Sequence, residues 1–176
     1  RAGYGYFSDS ILTRYPNRKY LGEDFYTSLK YSFAYKDKIQ FGIIGEKDAG
    51  EPFLKTGYSK GYDHYGFHLI VRDMGILKTL ALGDYRLSFG QGLVLNNDFM
   101  ISKSGTSNTV IRSTIKPKRH FSTAENGFFR GAAATIGIKN ITITAFYSNK
   151  NIDATISKEG NITSFKTDGY HRVPLD

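Results

Sequence analysis

Three stretches of this chain alternate apolar and polar residues with a period of two, and each doubles back at a short polar turn. In 25–35, Phe25, Leu29, Tyr31, Phe33 and Tyr35 share one side, while Ser28, Lys30, Ser32 and Ala34 share the other. A helix would scatter these rings around its circumference, whereas a strand gathers them on one face. Lys36-Asp37-Lys38 turns the chain, and Ile39, Phe41 and Ile43 then alternate with Gln40 and Gly42 up to Glu46. In a second hairpin Tyr65, Phe67, Leu69 and Val71 oppose Gly66, His68, Ile70 and Arg72. It turns at Asp73-Met74-Gly75 and returns as a long predicted strand over 77–95, with Tyr85, Leu87 and Phe89 opposite Asp84, Arg86 and Ser88. The third covers 128–138, a turn at Lys139-Asn140, and 141–149. There Ile141, Ile143, Ala145 and Tyr147 oppose Thr142, Thr144 and Ser148, and Phe146 interrupts the polar side. Residues 162–165 start a further predicted strand and 2–7 end an earlier one. The fold class expected is all-β, an antiparallel up-and-down meander.

The connections sort by length. Those inside hairpins take a few residues, and those between hairpins run over 47–63 and 96–127. A transmembrane β-barrel has this asymmetry, with short turns on one side of the membrane and long loops on the other. Strands near ten residues match the ~9–11 needed to cross a bilayer at a tilt. Phe25, Tyr35, Tyr65, Tyr85, Phe89, Phe128 and Tyr147 stand near strand ends, where interfacial aromatic girdles belong. The opposite face carries Gly42, Glu46, His68, Arg72, Asp84, Arg86, Gly90 and Gly92, a composition suited to a narrow, ion-paired lumen. Alternation alone leaves a soluble β-domain open, with its apolar face turned inward. The two readings differ over Tyr31, Phe33, Phe41, Phe67, Leu69, Leu87 and Ile143, which a membrane barrel turns outward and leaves uncovered. Arg130 shares its parity with Ala132, Ala134, Ile136 and Ile138, so that strand needs either a bulge or an aqueous rim at Arg130.

Composition narrows the chemistry. Among 176 residues there is no cysteine, which excludes a disulfide scaffold, a cysteine-ligated metal and a thiol nucleophile. No apolar run approaches the ~18–20 residues of a spanning helix. The chain opens on Arg1 and closes on Arg172-Val173-Pro174-Leu175-Asp176, and 1–176 reads as a single barrel segment of a longer polypeptide whose remainder completes the barrel.

The run from Ala81 through Gly83-Asp84-Tyr85-Arg86 to Leu95 resembles a stretch in uncharacterised outer-membrane β-barrel proteins of Bacteroides-type bacteria. So do 46–51 (EKDAGE), 128–134 (FFRGAAA), 144–148 (TAFYS) and 168–172 (DGYHR). Members of that group carry the label of an N-terminal helix-hairpin-helix segment of the kind found in DNA-uptake proteins; no such segment is read in these residues. The resemblance implies a barrel in the bacterial outer membrane and no defined reaction.

The candidate site is a lumen charge cluster of Glu46, Arg72, Asp84, Arg86 and Arg130, with Lys30 beside it. Asp84 and Arg86 lie two apart on one strand and face the same way, roughly 7 Å apart. Such a cluster either gates small solutes or simply pairs charges that confinement would make costly alone. The positive charge, +8 overall, concentrates in a basic loop carrying Lys103, Arg112, Lys116, Lys118 and Arg119, and in 14–19. The loop's charges meet the phosphates of lipopolysaccharide or of nucleic acid, although only Phe121 stands near for base stacking, or are simply solvated on an exposed loop. His64 and His68, on one strand, are roughly 13 Å apart and share no ion. Gly90-Gln91-Gly92 lacks the Lys-Ser/Thr of a phosphate loop. No serine has a histidine and an acid placed by a recognisable motif. The functional expectation is a non-enzymatic outer-membrane barrel, structural or pore-like, with no metal or cofactor; DNA uptake and a soluble ligand-binding β-domain are the alternatives.

Overall fold

The computed structural model describes residues 22–23, 25–53, 61–97, 116–152, 154–157 and 159–165. These residues form antiparallel strands with no α-helix. The strands are β1 (Thr27–Tyr35), β2 (Ile39–Lys47), β3 (His64–Met74), β4 (Leu77–Arg86), β5 (Ser88–Phe89), β6 (Leu95–Asn96), β7 (Lys118–Arg119), β8 (Phe129–Ile138), β9 (Ile141–Ser148), β10 (Ala154–Ile156) and β11 (Ile162–Phe165). The main sheet runs β1-β2-β3-β4-β8-β9, with β7 added beside the end of β4. Among the described residues it does not close into a barrel. The three expected hairpins are its backbone, and the strand expected at 162–165 pairs with β10 in a small separate hairpin. The strand expected at 2–7 lies outside the described residues.

The hairpin turns set the register. Lys36 (φ 45°) and Asp37 (φ 52°) take the left-handed conformation that a tight hairpin needs, as do Asp73 and Lys139 in the other two. Tyr31 pairs with Ile43, Ile43 with Phe67, Leu69 with Leu82, Leu82 with Ala132, and Ala132 with Tyr147. Carried along the strands, this register places one continuous set on one face. It holds Leu29, Tyr31, Phe33, Tyr35, Ile39, Phe41, Ile43, Tyr65, Phe67, Leu69, Val71, Leu80, Leu82, Ala132, Ala134, Ile136, Ile138, Ile141, Ile143, Ala145 and Tyr147. No charged residue falls on it between the turn-side and loop-side ends. Tyr31, Phe33, Tyr65, Phe67, Ile136 and Ile143 are exposed there, and Phe41 and Leu69 are half-buried.

The other face is where burial occurs, and it is mixed in chemistry. Ile44, Ile70, Ala81 and Ala133 are buried beside His64, His68, Thr79, Asp84 and Thr135. Thr135 and Thr144 join across β8 and β9 through their hydroxyls at 3.0 Å. This inverts the usual arrangement of a half-solvated sheet, in which apolar residues are covered and polar ones meet water.

Two expectations are corrected near the end of β4. The long strand predicted over 77–95 stops at Arg86, because Gly90 (φ 60°) and Gly92 (φ 86°) turn the chain through a short 3-10 segment. β5 and β6 then pair with each other as a small hairpin. Leu87, expected outward and uncovered, is buried at 1 % exposure in a cluster with Ile70, Ala81, Tyr85 and Ala133, against which Phe89, Leu95 and Phe129 pack. The cause lies at Gly83, whose φ of +86° is open to glycine alone at little cost. Beyond it alternation fails, and the neighbours Asp84 and Tyr85 are both buried. The carboxylate reaches the Phe67 N–H of β3 at 3.2 Å, while the Tyr85 phenol donates to the Tyr147 carbonyl of β9 at 2.7 Å. Tyr85, Phe89 and Phe128 are therefore absent from the exposed aromatic end. That end is made by Phe25, Tyr26, Tyr65 and Tyr147, with Tyr35 at the opposite, turn-side end.

Candidate functional site: a strap over the polar face

The segment 116–128 lies across the polar face as a strap. β7 pairs Lys118 with Arg86 and Arg119 with Tyr85, and the His120 N–H donates to the Asp84 carbonyl at 3.0 Å. Phe121 then meets the His68 ring edge-on, centroids 5.0 Å apart. A Cβ on Gly42 would stand 2.5 Å from His68 Cε1 and 3.0 Å from the Phe121 ring, so β2 accommodates the pair only through its glycine. Phe128 closes the strap, stacked on His120 at 4.2 Å and lying edge-on to His64 at 6.4 Å. Cations surround the same ring: Lys150 Nζ is 3.9 Å from its centroid and the Arg130 guanidinium 5.5 Å. Lys150 also donates to the Glu125 carbonyl, tying the strap to the chain after β9.

Beneath the strap lies the ion pair of Asp84 and Arg130. Arg130 Nε donates to Asp84 Oδ1 at 2.6 Å and its Nη2 to Oδ2 at 2.9 Å, and the same Nη2 reaches the Tyr65 carbonyl at 2.8 Å. Asp84 is 1 % exposed, so a planar two-point pair and a backbone N–H supply the partners its charge needs. The parity conflict at Arg130 resolves as a local break in alternation. Gly131, opposite Gly83, has φ 153°, and the Arg130 side chain lies with Asp84 on the polar face. Gly66 is the floor of this site: a Cβ there would stand 2.9 Å from Asp84 Oδ2 and 3.6 Å from His64 Nε2.

The rest of the predicted charge cluster is dispersed. Arg86 Nε donates to His120 Nδ1 at 3.0 Å. Glu46 accepts from the Tyr26 hydroxyl at 2.7 Å. Arg72 is at the turn end, paired in register with Thr79, about 16 Å along β4 from Asp84. Lys30, on the polar face of β1, is exposed. Of the expected group, only Asp84 and Arg130 form a direct pair, with Arg86 one histidine away. His64 and His68, expected only to lie too far apart to share an ion, are organised by the strap together with His120. His64 Nδ1 lies 3.6 Å from Glu125 Oε1. Both ring nitrogens of His68 are buried without a hydrogen-bond partner among the described residues. In the basic loop, Lys116 and Arg119 are exposed, Lys118 is half-buried in β7, and Arg119 covers the Phe121 ring at 5.7 Å. Lys103 and Arg112 lie outside the described residues.

His120 is the most constrained of these groups. Its Nδ1 accepts from Arg86, so its Nε2 carries the proton and donates to the Ala124 carbonyl at 3.0 Å. Burial pushes the imidazole down to about 4, helped by the Arg86 charge and opposed by the Ala124 bond and Asp84. No sequence pattern marks it: Arg86 and Ala124 reach it across 34 residues and within a turn. Among the described residues no group of three or more His, Asp or Glu side chains is placed to hold a metal ion. No protein family, no curated protein and no solved structure matches this chain.

Proposed function

We propose that the chain is part of a transmembrane β-barrel of the bacterial outer membrane, with a structural or pore-like role rather than an enzymatic one. In this reading the apolar face meets lipid, and the polar face lines a lumen narrowed by the strap. The observation that carries it is the face, free of charge between its two ends, that spans six neighbouring strands, β1 to β4, β8 and β9. In water an uncovered aromatic and aliphatic surface of that breadth would drive association; in a bilayer it is the ordinary outer wall. The lengths of those strands, from eight to eleven residues, suit a tilted crossing of the hydrocarbon core. Tyr65 and Tyr147 at the loop-side end suit a headgroup girdle. The resemblance of 81–95 to Bacteroides-type barrels supports the outer membrane in particular. Lipid and lipopolysaccharide are then the partners, and further strands of the same polypeptide complete the barrel.

The chain has no tryptophan, so a Phe67→Trp variant supplies one reporter on the apolar face. Reconstituted in vesicles with bromine mid-way along the acyl chains, its emission is expected to fall several-fold. Unquenched emission, from protein that stays monodisperse without detergent, would favour the soluble β-domain instead.

A further inference from the structure

We propose that the strap Pro117–Phe128 is an acid-released latch over the polar face, with the His120 ring as its trigger. The latch stands on the strap's own contacts. Its consequence, a lumen that opens at low pH, deepens the barrel reading and rests on it. Along its backbone the strap is held by the two-residue strand β7, the His120 N–H bond to Asp84 and the Glu125 carbonyl that accepts from Lys150. Its side chains seat it on the sheet through Phe121 on His68, Phe128 beside His64, Arg130 and Lys150, and His120 on Arg86, while the Ala124 carbonyl of the strap itself fixes the His120 ring. The third contact fits only a neutral ring. A proton on Nδ1 would set an N–H donor against the Arg86 Nε–H donor, and a positive charge against the guanidinium, inside a site 4 % exposed.

The groups around the ring come from every neighbouring element. β4 presents Arg86 and Asp84, and β3 presents His64. The strap brings Glu125 beside His64, and Arg130 of β8 and Lys150 approach the ring of the stacked Phe128. Asp84 attracts a proton to His120, but its carboxylate is already engaged twice by Arg130. His64 acts in the opposite sense, because a charged His64 would hold Glu125 and the strap more firmly. The two histidines are therefore separable by substitution.

The sign follows from the ring's two environments. Docked, it binds a proton near pH 4; released, near the ordinary 6.5. Docking is therefore strongest above pH 6.5 and weakens as pH falls, by about 160-fold at pH 4 and approaching about 300-fold only below it.

With no cysteine in the chain, a single Ala124→Cys change takes a nitroxide label and keeps the backbone carbonyl that His120 uses. Spin-label mobility in detergent micelles, read from pH 8 to pH 3.5, reports the strap without a bilayer, so its outcome is distinct from that of the lipid-quenching experiment. An immobile label at pH 8 that is freed between pH 6.5 and 4 is expected. His120→Gln, which offers a neutral acceptor and donor at any pH, is expected to keep the label immobile in acid. His64→Gln and Glu125→Gln are expected to preserve the release. A label whose mobility does not change with pH overturns the proposal, as does His120→Gln following the unsubstituted curve. Should His120→Gln lose its β-sheet circular dichroism, nitrogen NMR of the unsubstituted ring decides, and protonation at pH 6.5 or above overturns the latch.

Discussion

A lysine placed at Ile43 tests the solvent on the apolar face more directly than any other change. β2 has nine residues, and at ~3.3 Å per residue with a tilt near 40° it rises about 23 Å. Ile43 is the fifth, at mid-depth, between Tyr31 on β1 and Phe67 on β3. Ile39 is the first, about 10 Å nearer the turn-side rim. A lysine on the lipid face costs about 2–4 kcal/mol at the bilayer midplane and about 0–1 kcal/mol near the interface. In water the two changes would be nearly equivalent, since both side chains are similarly exposed (43 % and 38 %) and surface substitutions stay within about 0.5 kcal/mol. The expected result is that Ile43→Lys loses at least ~2 kcal/mol more than it would in water, and clearly more than Ile39→Lys. Equilibrium urea unfolding from phosphatidylcholine vesicles, followed by the emission of the Phe67→Trp reporter, measures both. Equal midpoints and slopes for the two lysine variants would refute the depth argument.

Two further changes probe the polar face. Gly83→Ala forces a Cβ to within 2.3 Å of the Phe67 carbonyl oxygen at φ +86°, so about 2–3 kcal/mol of stability is expected to go in the same urea titration. A loss below ~0.5 kcal/mol would mean that β3 and β4 adjust freely there. Arg130→Met leaves the buried Asp84 carboxylate without its guanidinium, at a cost of about 3–5 kcal/mol, and adding Asp84→Asn is expected to restore part of the loss. If the double variant is no better than Arg130→Met alone, unpaired charge is not the source of the cost.

How much of this was legible in the residues depends on the reach of each interaction. Side chains alternate along a strand by local geometry, so Phe25–Tyr35 and Ile39–Glu46 announced both their strands and the face their rings would share. Lys36-Asp37-Lys38 and Lys139-Asn140 announced the turns for the same reason. Parity then misplaced Leu87, Tyr85 and Phe89, because one glycine at φ +86° redirects everything after it, and a glycine in sequence does not declare its φ. Charge grouping misled as well. Arg72 shares a face with the other charges, but strand length alone keeps it at the far end from Asp84.

The amino-acid sequence by itself determined the hairpins, their turns and the alternation that gathers an apolar face, all of which follow from contacts between residues near in the chain or opposite in a hairpin. Only the tertiary structure decided that β8 lies against β4, that Arg130 turns to meet Asp84, and that 116–128 folds back to set His120 on Arg86. Those contacts join segments separated by tens of residues, where packing and the pairing of buried charge select the partner and no periodicity records the choice.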